Sequence, residues 1–574
     1  MYKRWIASFR GFIKEDRKYI YTFLYSQIFV WSFFILNNSK GKFSRYVIRE
    51  YLKASESFLG IIGGFVLLSV FFRMFFPKKY KICILILILL NFLGNSLDML
   101  VYLNFGTQIS PEMMNIFFES NLNEAKEFTN SYLNKKILLL IPYYIIGGLL
   151  LIKIKTKIFI KMLALTFTTI ILAINILKIE GSTYFRKTYI YKNISRSYSR
   201  YKKSAEETKK LMENFEERFK DIKVKDEMEE ATYVMVIGES FSKHHSSLYG
   251  YKRDTNPNLL NRKKNGEIVI FDDVVSPHHY TRDTLLKLVS DYSHESEKSF
   301  GESMNIIDLF KKAGYKTYWL SNQEDFAYNQ AGLSSVANRA DEVVFTEKSL
   351  SDTKVKMYDE YLIPHIKKAL EDDVKKKFIV IHLFGSHLGY ANRYPKEFSY
   401  FEKDSYEEYF SELQKKNKVI VNEYHNSLRY NDYLINNIID MTDKSSKNSY
   451  LLYLSDHGQI VYDDNTDFVG NSLPTVNKKA VEIPLIVWMS QEYREKNKEN
   501  VEKFELNAKK RYSSEDIFYS IVDLSRLNYS EQIQEKSIFS EKLVEKDRRI
   551  SSEGLIYESL IGAEKSDEKK DSNI

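Results

Sequence analysis

The hydrophobic pattern of the chain changes once. Up to about residue 178 apolar residues run in long blocks, and beyond it they come in short runs between polar helical stretches. A helix needs about 20 apolar residues to cross a bilayer. Five blocks are candidate crossings: 19–36, 58–76, 82–103, 136–151 and 158–177. The short basic connections 77–81 and 152–157, and Lys3, Arg4, Arg10, Lys14, Arg17 and Lys18 before the first block, predict a cytoplasmic side. Five crossings then carry the rest of the chain to the opposite side. The basic loop 37–57 (Lys40, Lys42, Arg45, Arg49, Lys53) runs against this sidedness, so the topology rests on parity. The first block has no small-residue cleavage site and does not read as a signal peptide. Asn91, Asn95 and Asp98 interrupt the third block. Polar groups at that depth are costly and are expected to face protein or a cavity. The polar stretch TQISPEMMNIFFESNLNEAKEF (107–128) is either a simple loop or a cap over a lipid site.

Residues 179–228 read as a connector. Its aromatic residues mix with basic ones as at a headgroup interface. From Ala231 the pattern predicts strands at 233–237, 268–271, 316–320, 378–383, 449–454 and 483–488, with helices over 305–313, 354–370 and 418–440. Several strands are continuous apolar runs, expected where helices cover both faces of a sheet. The alternation argues for a mostly parallel α/β sheet. The predicted organisation is a transmembrane helical domain of five helices (1–178), interfacial linker helices (179–228), an α/β domain (229–550) and a polar tail (551–574). With 44% hydrophobic residues so unevenly placed over 574 positions, neither a uniformly soluble nor a disordered chain fits. Cys83 is the one cysteine, which excludes an intrachain disulfide and a Cys-rich metal site. The net charge of +8, spread over 84 basic and 76 acidic residues, gives no argument for nucleic acid.

Ligands of a parallel sheet bind beyond the carboxyl ends of its strands. Glu239 follows the first strand; SPHHYTRDT, with Thr281, follows the second; HLFGSH, with His382 and His387, ends the fourth; and SDHG, with Asp456 and His457, ends the fifth. Singly these are unremarkable. A Glu after a strand usually caps a helix or is solvated, a loop Thr is usually a turn residue, and an Asp-His pair is usually a local hydrogen bond. Jointly, a carboxylate, a hydroxyl and an Asp-His pair at one sheet edge form a nitrogen and oxygen ligand set suited to zinc. A metal-bound threonine hydroxyl loses its proton more easily, and the pattern points to phosphoryl transfer through a threonine ester.

These residues resemble the membrane phosphoethanolamine transferases of Gram-negative bacteria. The resemblance lies in VIGES with SLYGYKRDTNP, IHLFGSH followed by NRYP, YHNSLRYND, YLSDHG, EIPLIVW and ESNLNEAKEF. SPHHYTRDT and WLSNQ look closer to the branch that modifies core heptose. The resemblance implies five transmembrane helices and an outward-facing domain of the alkaline phosphatase/sulfatase superfold. It implies that Thr281 carries phosphoethanolamine and binds zinc with Glu239, Asp456 and His457, one ion or two. It puts His387 where substrate or a second zinc binds, Ser120 and Glu124 at the lipid donor, and Asn322 near a substrate-contacting loop. His382 aligns with a further family histidine or serves the structure. Two departures stand out. No histidine follows His457, with Asn471 at about the place of the family's downstream one, and Gln459 replaces a usual Glu. His244, His245, His278 and His279 are substitute ligands or plain loop residues.

The implied function is transfer of phosphoethanolamine from phosphatidylethanolamine to lipopolysaccharide, on core heptose or lipid A. The implied location is a bacterial inner membrane, with the catalytic domain in the periplasm. The alternatives are a phosphoglycerol transferase of the same superfold and an inactive lipid-binding relative. A sulfatase activity is disfavoured, since no Cys-x-Pro-x-Arg sequence exists to form a formylglycine.

Overall fold

The run ATYVMVIG has no polar face, and it forms the middle strand of a seven-stranded sheet. The computed structural model describes residues 2–38, 61–105, 138, 140–152, 158–162, 202, 219–226, 228–324, 331–347, 358–401, 410–466, 468–471, 477–551 and 554–560. The sheet strands are β1 (Ala231–Gly238), β2 (Ile268–Phe271), β3 (Lys316–Glu324), β4 (Glu342–Glu347), β5 (Lys376–His382), β6 (Ser449–Ser455) and β7 (Leu485–Met489). Their order is β2-β7-β6-β1-β5-β3-β4. Strand β7 is antiparallel to β2 and β6, and the other neighbours pair in parallel. The predicted parallel sheet is therefore present, with one reversed strand. The sequence pattern did not predict β4, EVVFTE, a short edge strand with charge at both ends.

Successive β1 side chains enter two different cores, as a pleated strand requires. Tyr233, Met235 and Ile237 join one cluster with the helices Ile306–Lys312 and Ile517–Leu524. Val234 and Val236 join the other, under the helices Ile363–Leu370 and Lys418–Ser445. Each Val or Ile buried here contributes about 1.5–3 kcal/mol, which favours the centre of the sheet over any edge for this strand. The helix predicted over 354–370 is shorter in the described residues. It runs Ile363–Leu370 after the single turn Asp359–Leu362. Pro364 lacks an N–H and suits only a first helical turn.

The chain divides into two compact units, Met1–Ser120 with Glu124–Lys202, and Lys203–Ile574 with Asn121–Asn123. The first is helical, with Tyr2–Glu15, Arg17–Asn38, Tyr80–Phe105 and Leu140–Leu150. Asn91, Asn95 and Asp98 are buried in it, as their cost in an apolar helix predicts. Asn91 accepts from Gln27 Nε2 at 2.6 Å and donates to Ser26 Oγ at 2.5 Å. On the same helix Ile82, Ile86, Leu89, Leu90 and Leu93 are exposed, so its outer side is apolar and uncovered within this unit. Among the described residues one helix, Tyr80–Leu103, is long and apolar enough to cross a membrane; Ile61–Phe75 and Leu140–Leu150 are apolar and shorter. Most of the expected block 158–177 lies outside the described residues.

In the α/β unit Glu482 ties the loop after β1 and the distant Tyr557 to the approach of β7. Its carboxylate lies 2.9 Å from His244 Nε2 and 3.0 Å from Lys243 Nζ, and it accepts from the Tyr557 hydroxyl. Although burial opposes it, the His244 hydrogen bond with the nearby His244 and Lys243 charges holds this carboxyl down at about 2. A carboxyl with a lowered folded value contributes stability above its unfolded value of about 4.5, and loses it as pH falls toward 2. Glu482→Gln should lower the melting temperature at pH 6, by the equivalent of about 2 kcal/mol, and flatten its fall between pH 4.5 and 2. Thermal unfolding of the two proteins across that range checks this.

Candidate active site

The parallel register brings the first acidic pair together. Gly238 is level with Ser455 and Ile237 with His382, so the next residues of β1 and β6, Glu239 and Asp456, leave the sheet side by side. Asp456 N–H donates to Gly238 O at 3.0 Å. Ser240 then takes a left-handed backbone, φ 59°, which is costly for a residue with a side chain. That turn aims its N–H at Asp456 Oδ1 (3.0 Å), and its hydroxyl donates to Glu239 Oε1 (2.6 Å). His457 N–H also donates to Asp456 Oδ1, at 2.7 Å. Two backbone donors thus fix one carboxylate oxygen, while Asp456 Oδ2 is buried without a hydrogen bond.

Thr281 arrives from a different direction. Ser276 Oγ bonds Asp456 O at 2.6 Å, which pins the SPHH loop to the end of β6. The helix Thr281–Leu288 starts from that loop, with Thr281 its first residue. Thr281 Oγ1 donates to Glu239 Oε2 at 3.0 Å and lies 3.2 Å from His457 Nε2. His457 Nδ1 is 2.8 Å from Gly458 O, a pure acceptor, so the proton belongs on Nδ1 and Nε2 keeps its lone pair. That lone-pair nitrogen sits 3.4 Å from Glu239 Oε1 and 3.3 Å from Asp456 Oδ2.

The geometry fits a small divalent cation. Ligand atoms at about 2.0–2.1 Å from a tetrahedral zinc are about 3.3–3.4 Å from one another. The separations of His457 Nε2 from Thr281 Oγ1, Glu239 Oε1 and Asp456 Oδ2, 3.2, 3.4 and 3.3 Å, lie close to that spacing. Glu239, Asp456 and His457 are also the one group among the described residues whose His, Asp, Glu or Cys ligand atoms converge this closely. Burial, with the neighbouring Asp456 charge, pushes Glu239 up to about 7, and burial pushes Asp456 up to about 6. Two buried carboxylates this close need a cation to stay ionised together.

The other expected site residues fall in different places. His387 lies beside this cluster; burial pushes its imidazole down to about 4 against the pull of Glu239, and its Nδ1 has no hydrogen bond. His382 is fully buried beneath the edge, with Nδ1 3.3 Å from Ser321 Oγ. Asn322 is buried too: its amide donates to Asp359 at 2.8 Å and accepts from Thr346. Its visible work is to hold Asp359. Asn471 Nδ2 sits 3.0 Å from His457 Nε2, and Gln459 Nε2 donates to Tyr390 at 2.6 Å. His244 pairs with Glu482, and His245 is buried between His425 and Asp463. His278 contacts Lys287 Nζ at 3.1 Å, and His279 is buried against Tyr280. Ser120 and Glu124 lie outside the described residues.

Sequence reasoning missed Asp359. Its carboxylate accepts from Phe384 N (2.7 Å) and Gly385 N (2.9 Å), fixing the loop that carries His387. No local pattern marks an acid whose partners lie 25 and 26 residues away.

The sequence profile of the Sulfatase family matches residues 231–527. The chain belongs to the sulfatase family. Within that family it is 25% identical over 499 residues to the phosphoethanolamine transferase EptC of Escherichia coli K12, spanning 83% of this chain and 85% of that one. The C-terminal periplasmic domain of Escherichia coli EptC, solved in complex with Zn, aligns at 26% identity and a TM-score of 0.55, covering 59% of this chain and 96% of that domain. The integral membrane protein EptA from Neisseria meningitidis shares the fold over 91% of this chain and 98% of its own, at 18% identity and a TM-score of 0.60. The expected likeness to phosphoethanolamine transferases therefore extends over most of the chain, and the α/β unit is of alkaline phosphatase/sulfatase type.

Gly458 lets the DHG turn pass the backbone beside it. A Cβ there would lie 2.2 Å from Lys479 O, while one at Gly266, also a turn, would meet nothing within 4 Å. Gly458→Ala should cost about 2–4 kcal/mol. Gly266→Ala, strained only by its φ of 71°, should cost about 1 kcal/mol. Denaturant unfolding of the two variants compares them.

Proposed function

We propose that this chain transfers phosphoethanolamine from phosphatidylethanolamine to a saccharide or phosphate of lipopolysaccharide by way of a Thr281 ester. The observation that carries this reading is the threonine hydroxyl lying 3.0 Å from Glu239 and 3.2 Å from His457. The names of the relatives support the transferred group, and the Zn-bound EptC domain supports the metal.

Thr281 is both nucleophile and ligand in this scheme. At the first position of its helix it faces the positive end of the peptide dipoles, which favours the alkoxide. Its hydroxyl proton is already directed at Glu239 Oε2. Zinc at Glu239, Asp456, His457 and Thr281 would supply Lewis acidity to the hydroxyl and to a phosphoryl oxygen. In the first half-reaction Thr281 Oγ bonds to phosphorus, the bond from phosphorus to the diacylglycerol oxygen breaks, and diacylglycerol leaves with a proton. In the second, an acceptor oxygen bonds to phosphorus, the bond to Thr281 Oγ breaks, and the threonine regains its proton. His387 is assigned to the phosphoryl group of the substrate. Asn322 acts through Asp359 on the same loop.

The same reading places the chain in a bacterial inner membrane by five crossings, with the α/β unit in the periplasm. The exposed leucines and isoleucines of Tyr80–Phe105 are the kind of surface that lipid covers. Ser120 and Glu124 are proposed to hold the lipid donor.

Intact-mass measurement after exposure to phosphatidylethanolamine tests the ester. The wild type should gain one phosphoethanolamine and Thr281→Ala none; an unmodified wild type with zinc bound would favour an inactive lipid-binding relative. Phosphatidylglycerol in place of phosphatidylethanolamine should give no adduct. Asp456→Asn should lower zinc content by elemental analysis and transfer by at least about 100-fold.

A further inference from the structure

Two strings in the sequence, SLYGYKRDTNP and YHNSLRYND, take no part in the transfer scheme. The fold brings them together. Arg253 of the first donates through Nη1 to His425 Nδ1 of the second, and to Asn422 Oδ1 at 2.8 Å. His425 Nε2 is 2.9 Å from His245 Nδ1, and His245 Nε2 is 3.1 Å from Asp463 Oδ2. A guanidinium only donates, so His425 accepts at Nδ1 and carries its proton on Nε2. That N–H donates to His245 Nδ1, which leaves His245 Nε2–H to donate to Asp463. Two neutral imidazoles thus complete an unbroken row from Arg253 to Asp463, and all four side chains are buried. The row ties the helix Lys418–Ser445 to the loop after β1 and to the segment after His457.

Tyr424, next to His425, carries this anchorage to the reaction centre. Its buried ring meets His245 edge-on, with centroids 5.3 Å apart, and Tyr390 at 4.9 Å. Its hydroxyl donates to Ser240 O at 2.8 Å and accepts from Ser242 N–H at 3.0 Å. Ser240 is the left-handed residue whose N–H holds Asp456 Oδ1 and whose hydroxyl holds Glu239 Oε1, at 3.0 and 2.6 Å. One hydrogen bond therefore separates Tyr424 from the residue that grips both acids.

We infer that Tyr424 is a positioning residue for the metal: its hydroxyl clamps the strained Ser240 turn and so sets where Glu239 and Asp456 meet a zinc ion. The inference rests on the metal placement proposed above. A left-handed serine persists only where its surroundings hold it. The Tyr424 hydroxyl does so at two points, the C=O of Ser240 and the N–H of Ser242, whose relative directions change if the turn relaxes to an extended backbone. Relaxation would swing the Ser240 N–H away from Asp456. Packing of the helix needs the ring of Tyr424, and the clamp needs its oxygen, so the two roles separate in Tyr424→Phe.

The test is zinc affinity of the purified full-length protein, measured by competition with a chelator and with no lipid substrate present. Tyr424→Phe should weaken zinc binding about tenfold, the usual scale for a group that orients a metal ligand. It should also alter the visible absorption of the cobalt-substituted protein, which reports ligand geometry. Tyr450→Phe removes a hydroxyl as deeply buried, 2.7 Å from Ser525 Oγ at the far end of β6. It should lower the melting temperature comparably and leave zinc affinity and the cobalt spectrum unchanged. Glycine adopts the left-handed turn without strain, so in a Ser240→Gly background Tyr424→Phe should weaken zinc binding by less than about threefold. Wild-type affinity in Tyr424→Phe would overturn the inference, as would an equal loss in Tyr450→Phe or an undiminished loss in the Ser240→Gly background. A wild type that binds no zinc would overturn the inference and the metal placement together. Because zinc is read without turnover, a protein that binds the metal and forms no ester would sink the proposed reaction and leave the clamp standing.

Discussion

The site depends on the alignment of β1 with β6. Their parallel pairing sets Gly238 level with Ser455, so Glu239 and Asp456 emerge together, and a shift of one residue would send one of them to the opposite face. Everything else at the centre accommodates that fact. Ser240 adopts a strained left-handed turn to place two donors on the acids, and Gly458 allows the His457 turn to pass close to Lys479 O. The carboxylates are kept at a separation that only a proton or a cation makes tolerable.

Around this pair the protein builds support in layers. Gly458 O sets the tautomer of His457, Ser276 ties the loop before Thr281 to the end of β6, and Asp359 secures the loop of His387. Each of these groups is buried, where an unsatisfied polar atom is costly and a satisfied one is rigid. Asp456 Oδ2 and His387 Nδ1 are buried without a hydrogen bond, and the first is an atom a metal would use. Two further side chains reach the same region: Asn471 Nδ2 contacts His457, and Gln459 is held by Tyr390.

Much of the fold was legible because β1, β5, β6 and β7 are too apolar to be anything but central strands. Edge strand β4 was not, since EVVFTE carries charge at both ends and reads equally well as a loop. The start of the helix at Ile363 was missed by the expected span 354–370, although Pro364, whose missing N–H belongs in a first turn, marks it. Asn322 resembles a substrate contact by its neighbourhood in sequence, but both ends of its amide are occupied by protein.

The order of residues by itself determined the apolar first third, the alternation of strand and helix after Ala231, and the chemical types that follow the strands. These are local properties, written in runs of neighbouring residues. Only the tertiary structure decided that Thr281 meets Glu239 and His457, and that His382 lies beneath the edge while His387 lies beside the acids. The physical reason is that strand order and register are set by packing over the whole sheet, and residues tens to hundreds of positions apart become neighbours only when both of its faces are covered.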